Sequence, residues 1–192
     1  MPDCVAPDRA ERGGVLVAIA RESIGAELGV LAALPRTGSW LEEPAATFVT
    51  LRRDGELRGC IGSIDPRRAL GADVAHNARS AAFRDPRFPP VERLEFAAIA
   101  VEVSVLSVRT PIAAASESEA LARLRPGVDG IYLEYGEAAA TFLPQVWESL
   151  PDPLLFLSEL RRKARLPGRF WHPDLRLTRY TVEKFADERA RT

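Results

Sequence analysis

Cysteine and histidine are nearly absent from this chain: of 192 residues, two are Cys and two are His. The thiols, Cys4 and Cys60, are far apart and form no C-x-x-C, which excludes a disulfide framework. His76 and His172 are equally separated and no H-E-x-x-H occurs, so no metal is expected. Thiols used this sparingly point to a reduced cytoplasm. The N-terminal stretch M-P-D-C-V-A-P-D-R-A-E-R lacks the apolar core of a signal peptide. No apolar run is long enough to span a bilayer, so no membrane association is expected. Lysine is scarce too, only Lys163 and Lys184 among 26 basic residues, and the net charge is −1. No global field therefore steers the chain toward nucleic acid or anionic lipid. There is no G-x-G-x-x-G and no G-x-x-x-x-G-K-[ST], so nucleotide-loop chemistry has no support and no cofactor is expected. No internal repeat is found, and the alanine run at Ala113–Ala115 is the only low-complexity tract.

What is present is ordinary for a globular protein, with 46% hydrophobic and 28% charged residues. The length suits one domain or two small subdomains sharing a core. The most informative stretch runs from Thr47 to Ile64, T-F-V-T-L-R-R-D-G-E-L-R-G-C-I-G-S-I. Asp54-Gly55 favours a tight two-residue turn between two strand-forming runs, which predicts a hairpin. A two-residue loop sets Arg53 opposite Glu56, Leu51 opposite Arg58 and Val49 opposite Cys60. Arg58 and Cys60, two residues apart, then share one face. Gly59 and Gly62 flank the thiol. Glycine within a strand marks a bulge or a close approach, here either by a ligand or by a packed side chain.

Asp8 and Glu11 make a plausible helix start, with Gly29 as its end. Asp65-Pro66 begins a helix with Leu70, Val74, Ala78 and Ala81 on one face. That helix stops near Phe83, because Asp85 precedes Pro86 and is pushed out of helical geometry. Arg84 to Pro90, R-D-P-R-F-P-P, reads as a stiff connector. In Leu94–Leu106, Ile99, Val101, Val103 and Val105 face one way, and Ala100, Glu102, Ser104 and Leu106 the other. A second hairpin turns at Gly136-Glu137, a helix carries Leu154, Leu157, Leu160 and Ala164, and Leu175–Phe185 reads as one last strand. Hairpins with segregated helices predict an α+β fold, antiparallel sheets with packed helices.

Cys60 is the candidate nucleophile, because a thiolate is the attacking species and a nearby guanidinium favours it. Arg58 supplies that charge, or grips an anionic group in a two-pronged contact. His76 and Glu102 are candidate proton handlers. Asn77, Ser80 and Arg84 form a polar stripe at helical spacing, either a solvated face or part of a site wall. Asp85 is read as capping local backbone donors near Arg87. Arg161, Arg162, Lys163, Arg165 and Arg169 form a basic cluster that either complements a helix dipole or touches phosphates.

Six blocks resemble the AMMECR-like domain family, also named protein A of the AmmeMemoRadiSam system. They are L-R-G-C-I-G at Leu57–Gly62, A-A-F-R-D-P-R-F-P-P at Ala81–Pro90, V-E-V-S-V-L at Val101–Leu106, P-G-V-D-G at Pro126–Gly130, F-L-P-Q-V-W at Phe142–Trp147 and L-T-R-Y at Leu177–Tyr180. The resemblance covers residues 12–186, with residues 1–11 and 187–192 expected to be flexible. It implies a single α+β domain with a larger and a smaller subdomain around a cleft. It implies Memo-like and radical S-adenosylmethionine proteins as partners. Family members often carry K-A-G-L where this chain has Lys163-Ala164-Arg165-Leu166, which argues against a close backbone approach there. The function expected is thiol-dependent small-molecule or modification chemistry on a small anionic or carbonyl-bearing ligand. Cys60, Glu102 and His76 would act in catalysis, with Arg58, Gly59, Gly62, Asn77 and Arg84 holding the ligand. A non-catalytic protein-binding module is the first alternative and a nucleic-acid-binding protein the second, the latter disfavoured by the charge balance.

Overall fold

The computed structural model describes residues 7–187. Cys4 and most of the terminal residues expected to be flexible lie outside this range. The first helix, α1 (Arg9–Glu27), already begins inside the N-terminal segment expected to be flexible, with the Asp8 side chain accepting from the Glu11 N–H at 2.9 Å. The fold is α+β with two antiparallel sheets, and the chain forms two compact units. One runs to Leu106 and resumes at Glu183; the other is Ser107–Val182.

The first unit contains α1, a short α2 (Ser39–Glu42), β1 (Pro44–Arg53), β2 (Glu56–Gly62), β3 (Arg68–Ala69), α3 (Leu70–Phe83) and β4 (Ile99–Leu106). Its sheet has the order β2-β1-β4-β9, where β9 is Val182–Ala186, and β3 pairs with the start of β1. The alternation of β4 is as the sequence predicts, but the strand expected over Leu94–Leu106 begins at Ile99, after a short 3-10 turn at Phe96–Ala98. Ile99, Val101, Val103 and Val105 pack with Val49 and Leu51 against Leu16, Ala20 and Ile24 of α1 and Leu70, Val74, Ala78 and Ala81 of α3. Each of the Val, Leu and Ile side chains contributes about 1.5–3 kcal/mol on full burial.

The hairpin turn is as expected, with Asp54 and Gly55 both at positive φ, 52° and 79°. The register beyond it is not. Arg53 pairs with Glu56 and Arg52 with Leu57, but then Leu51 pairs with Gly59, Thr50 with Cys60 and Val49 with Ile61. Arg58 is the extra residue of a β-bulge, so the expected Leu51–Arg58 and Val49–Cys60 pairs do not form. Next to the bulge, β2 lies against α3. Gly59 faces it so closely that a Cβ there would sit 2.2 Å from the carbonyl oxygen of Ala81.

The second unit carries β5 (Thr110–Pro111), α4 (Glu117–Arg123), β6 (Gly130–Tyr135), β7 (Ala138–Phe142), α5 (Pro153–Lys163) and β8 (Arg176–Tyr180), with sheet order β5-β8-β6-β7. The single strand expected at Leu175–Phe185 is thus two strands, β8 and β9, broken at Thr181 and belonging to different sheets. Three of the resemblance blocks interlock here. Trp147 stacks on Phe156 and donates its indole N–H to the Asp129 carbonyl at 2.7 Å. The buried Asp129 carboxylate accepts from Arg125 and Arg179. Gly130 leaves the space that the Tyr180 ring fills. Burial pushes the Tyr180 hydroxyl up to about 12, against the opposing hydrogen bond with Thr141 at 2.7 Å.

Two helices end in the same way with different residues. After α1 the Gly29 N–H bonds to Ala26 O and the Val30 N–H to Gly25 O; after α5 the Arg165 N–H bonds to Arg162 O and the Leu166 N–H to Arg161 O. Both are Schellman caps, with Gly29 at φ 67° and Arg165 at φ 62°. A glycine in place of Arg165 therefore fits a helix cap. Arg165→Gly is expected to stabilise this chain by about 1 kcal/mol, the cost of holding a side chain in the left-handed region. A rise in urea midpoint at unchanged slope checks this; an unchanged midpoint would refute it.

Candidate functional site

The bulge decides what surrounds the thiol. Arg58 turns to Glu95, donating from Nε at 3.1 Å and Nη2 at 2.7 Å, with a further contact to the Pro90 carbonyl. Together with Arg53, Pro89, Pro90, Glu92 and Leu94, these residues line a hollow of about 420 Å³ that does not include Cys60. Burial pushes the Glu95 carboxyl up, but the bonds from Arg58, the Glu92 N–H and Arg53 outweigh it and hold the carboxyl below its ordinary value. The expected pairing of thiol and Arg58 guanidinium in one hollow is therefore corrected.

Cys60 faces Thr50 instead, whose hydroxyl donates to the sulfur at 3.3 Å, and the residue is partly exposed. Thr50 is in register with Cys60 on one side and Glu102 on the other, so the three form a row across β2, β1 and β4. Glu102 is paired with Arg52 at 2.8 Å.

The cation beside Cys60 is Arg87, from the R-D-P-R-F-P-P connector. Its Nη2 donates to the Cys60 carbonyl at 3.0 Å, and its guanidinium lies near enough to the thiol to interact with it. Asp85 holds Arg87 in place. Its Oδ1 accepts from Arg87 Nε at 2.9 Å and from the Arg87 backbone N–H at 3.1 Å; its Oδ2 accepts from Arg87 Nη2 at 2.6 Å and from the Cys60 backbone N–H at 2.8 Å. The Asp85 side chain is 2% exposed and that of Arg87 53%. Hydrogen bonding from Arg87 is the main reason the Asp85 carboxyl lies well below the usual carboxylate range, with burial opposing and the two backbone N–H groups assisting. The reading of Asp85 as a cap for backbone donors fits this geometry. Arg87 as the cation at the thiol was missed; the signal was an Asp-Pro-Arg run able to reach the outer edge of a glycine-bulged strand.

The remaining candidates are placed as follows. His76, on α3, makes no hydrogen bond to Cys60. Burial and the charges of Arg68, Arg79 and Arg84 lower its pKa, against Asp73. Asn77 does not line a surface: it is 2% exposed and donates to Thr47 and Asp73. Arg84 is exposed at the end of α3, its N–H bonded to Ser80. The space at Gly59 is taken by the Ala81 carbonyl and that at Gly62 by the Phe48 ring, 2.2 Å from where a Cβ would lie. The late basic cluster is largely engaged: Arg161 is fully buried against Glu117, Arg162 pairs with Glu159, and Lys163 donates to the Thr141 carbonyl. Among the described residues no His/Cys/Asp/Glu group forms a metal-binding set, and no helix is long and apolar enough to cross a membrane.

Comparison with known proteins gives a consistent family. The AMMECR1 family profile matches residues 17–185. A protein of Thermofilum pendens is 36% identical over 197 residues, covering 93% of this chain and 91% of its own length. Protein MK0488 of Methanopyrus kandleri is 35% identical, covering 93% of this chain and 89% of its own length. The crystal structure of uncharacterized protein PH0010 from Pyrococcus horikoshii superposes with a TM-score of 0.84 at 34% identity, covering 95% of each chain. With the profile spanning the larger part of both units, the chain belongs to the AMMECR1 family.

Proposed function

We propose that this chain is a cytoplasmic protein that performs thiol-dependent chemistry on a small anionic or carbonyl-bearing ligand, working beside Memo-like and radical S-adenosylmethionine proteins in a modification pathway. One observation carries the reading: the L-R-G-C-I-G and R-D-P-R-F-P-P blocks meet at a partly exposed thiol that has a hydroxyl donor and a guanidinium as neighbours. The Thr50 hydroxyl donates to the sulfur, and the Arg87 guanidinium is held on the carbonyl of the same residue. The sulfur adds to a carbonyl carbon of the ligand, the carbon–oxygen π bond breaks and its electron pair passes to the oxygen, which takes a proton from solvent, while the thiol proton goes to solvent or to Glu102 on the same row of the sheet. His76 is set aside in this scheme because no contact brings it to the sulfur.

The competing reading is a non-catalytic binding module. It is favoured by the packing roles that Gly59 and Gly62 fill without any ligand. Alkylation of the native protein, mapped to the peptide containing Cys60, separates the two. Thiol chemistry predicts fast labelling at Cys60 that rises with pH as thiolate forms, and none at that position in Cys60→Ser, which keeps its fold. Protection of Cys60 until the chain is unfolded would remove the nucleophile and leave the binding module.

A further inference from the structure

We propose that Arg87, fixed by Asp85, recognises a carboxylate on the carbon that Cys60 attacks, so that the site takes electrophiles bearing a single negative charge next to the reacting atom. The inference rests on the thiol reading and adds the class of ligand. A guanidinium has five N–H donors in a rigid fork. In Arg87, Nε and Nη2 are committed to Asp85 and the Cys60 carbonyl, while Nη1 bonds no described residue. The side chain is half exposed, and its carrier Asp85 is almost wholly buried. The free end of the fork is therefore presented to solvent from a fixed base, with the Phe88 ring 5.5 Å from the guanidinium carbon.

Two other cations of the hairpin are engaged differently: Arg58 gives Nε and Nη2 to Glu95 and its unpartnered Nη1 is buried, and Arg52 is shared between Glu102 and the Gly55 carbonyl. The guanidinium is half exposed while the Asp85 carboxylate is buried behind it, so an incoming carboxylate meets the cation first; the second charge of a phosphate dianion finds no second cation in this clasp. Because Arg87 touches the backbone of Cys60 itself, the anionic group must be carried close to the electrophilic carbon.

The test compares iodoacetate with iodoacetamide at Cys60, each rate read by peptide mass. In both reactions the thiolate sulfur bonds to the methylene carbon, the carbon–iodine bond breaks, iodide leaves with the electron pair, and the thiol proton goes to buffer. The reagents differ only in the carboxylate. The iodoacetate-to-iodoacetamide rate ratio should be about fivefold higher in the folded protein than in the urea-unfolded chain, the size of one water-screened ion pair. It should fall with added salt. Arg87→Gln should return the ratio to the unfolded value. Arg87→Lys, which keeps the charge, should retain part of it. Equal ratios in folded and unfolded protein, or a folded ratio that neither salt nor Arg87→Lys moves, would overturn the recognition role while sparing the thiol. Failure of both reagents to label folded Cys60 would overturn the thiol reading and this inference together.

Discussion

Gly59→Ala is expected to leave little folded protein. The added methyl carbon would lie 2.2 Å from the carbonyl oxygen of Ala81 and 3.2 Å from its carbonyl carbon. Those atoms belong to the α3 backbone, so no side-chain rotation relieves the overlap. Either β2 must lift off the helix or the last turn of α3 must shift. Overpacking a core usually costs about 1–3 kcal/mol, and a backbone obstacle places this case at the upper end or beyond. Against a total stability of roughly 5–15 kcal/mol, that loss is severe. Gly62→Ala is the graded comparison. Its obstacle is the Phe48 ring, also at 2.2 Å, which has rotamer freedom, so a smaller loss of about 1–2 kcal/mol is expected. Gly14→Ala is the control: nothing lies within 4 Å of the new carbon, and removing a mid-helix glycine should raise stability by about 0.5–1 kcal/mol. Urea midpoints would rank the three. A Gly59→Ala protein as stable as the parent would contradict the packing of β2 on α3.

Asp73→Ala should be nearly as damaging, by a different route. Asp73 is fully buried on α3. Its Oδ2 accepts from the Thr47 N–H at 3.0 Å, the Thr47 hydroxyl at 2.8 Å, the Ser63 hydroxyl at 2.6 Å and Asn77 Nδ2 at 3.0 Å. Arg68 reaches the other oxygen at 3.3 Å but is itself 44% exposed, so water replaces that partner cheaply. Thr47 is 0% exposed and Asn77 2%, so their donors have no such substitute. A buried donor left unpaired costs about 1–3 kcal/mol, and some of those freed here rebond among themselves. A net loss of about 3 kcal/mol or more is expected. Asp73→Asn tests the charge and acceptor capacity separately from the shape. All four donors converge on one oxygen, so an Asn amide oxygen can take that place with its NH2 turned to the Arg68 side, and Asn should recover a large part of the loss. A loss under about 1 kcal/mol for Asp73→Ala would show that the network is not the tie between α3 and the start of the hairpin.

The parts of this fold legible in the sequence are those fixed by short-range chemistry. Asp54-Gly55 demands a tight turn, and the apolar alternation of β4 names its core face. The Asp8 cap starts one helix and the stop before Pro86 ends another, but that second helix begins at Leu70, after β3, and not at Asp65-Pro66 as expected. Contacts between distant residues were not legible. The bulge at Arg58 lies next to the contact of Gly59 with Ala81, more than twenty residues further on, and one extra residue sends thiol and guanidinium to different partners. The Asn77 and Ser80 stripe has the spacing of a solvated helix face, yet both residues are buried, because a polar stripe looks the same in sequence whether it meets water or a buried acceptor such as Thr47 O. Likewise nothing local distinguishes Arg58 from Arg87 as the cation at Cys60. Only the path of the connector along β2 decides it.

The clasp that Asp85 and Arg87 make on Cys60 has one more effect. β2 is the outermost strand of its sheet, and an outer strand offers bare amide groups on which a foreign chain can template itself. At Cys60 the carboxylate stands where an adjoining strand's carbonyl would be, and the guanidinium where its amide would be. The hairpin thus carries its own guard against sideways growth into multimers and fibrils, supplied by the same two residues that attend its sulfur.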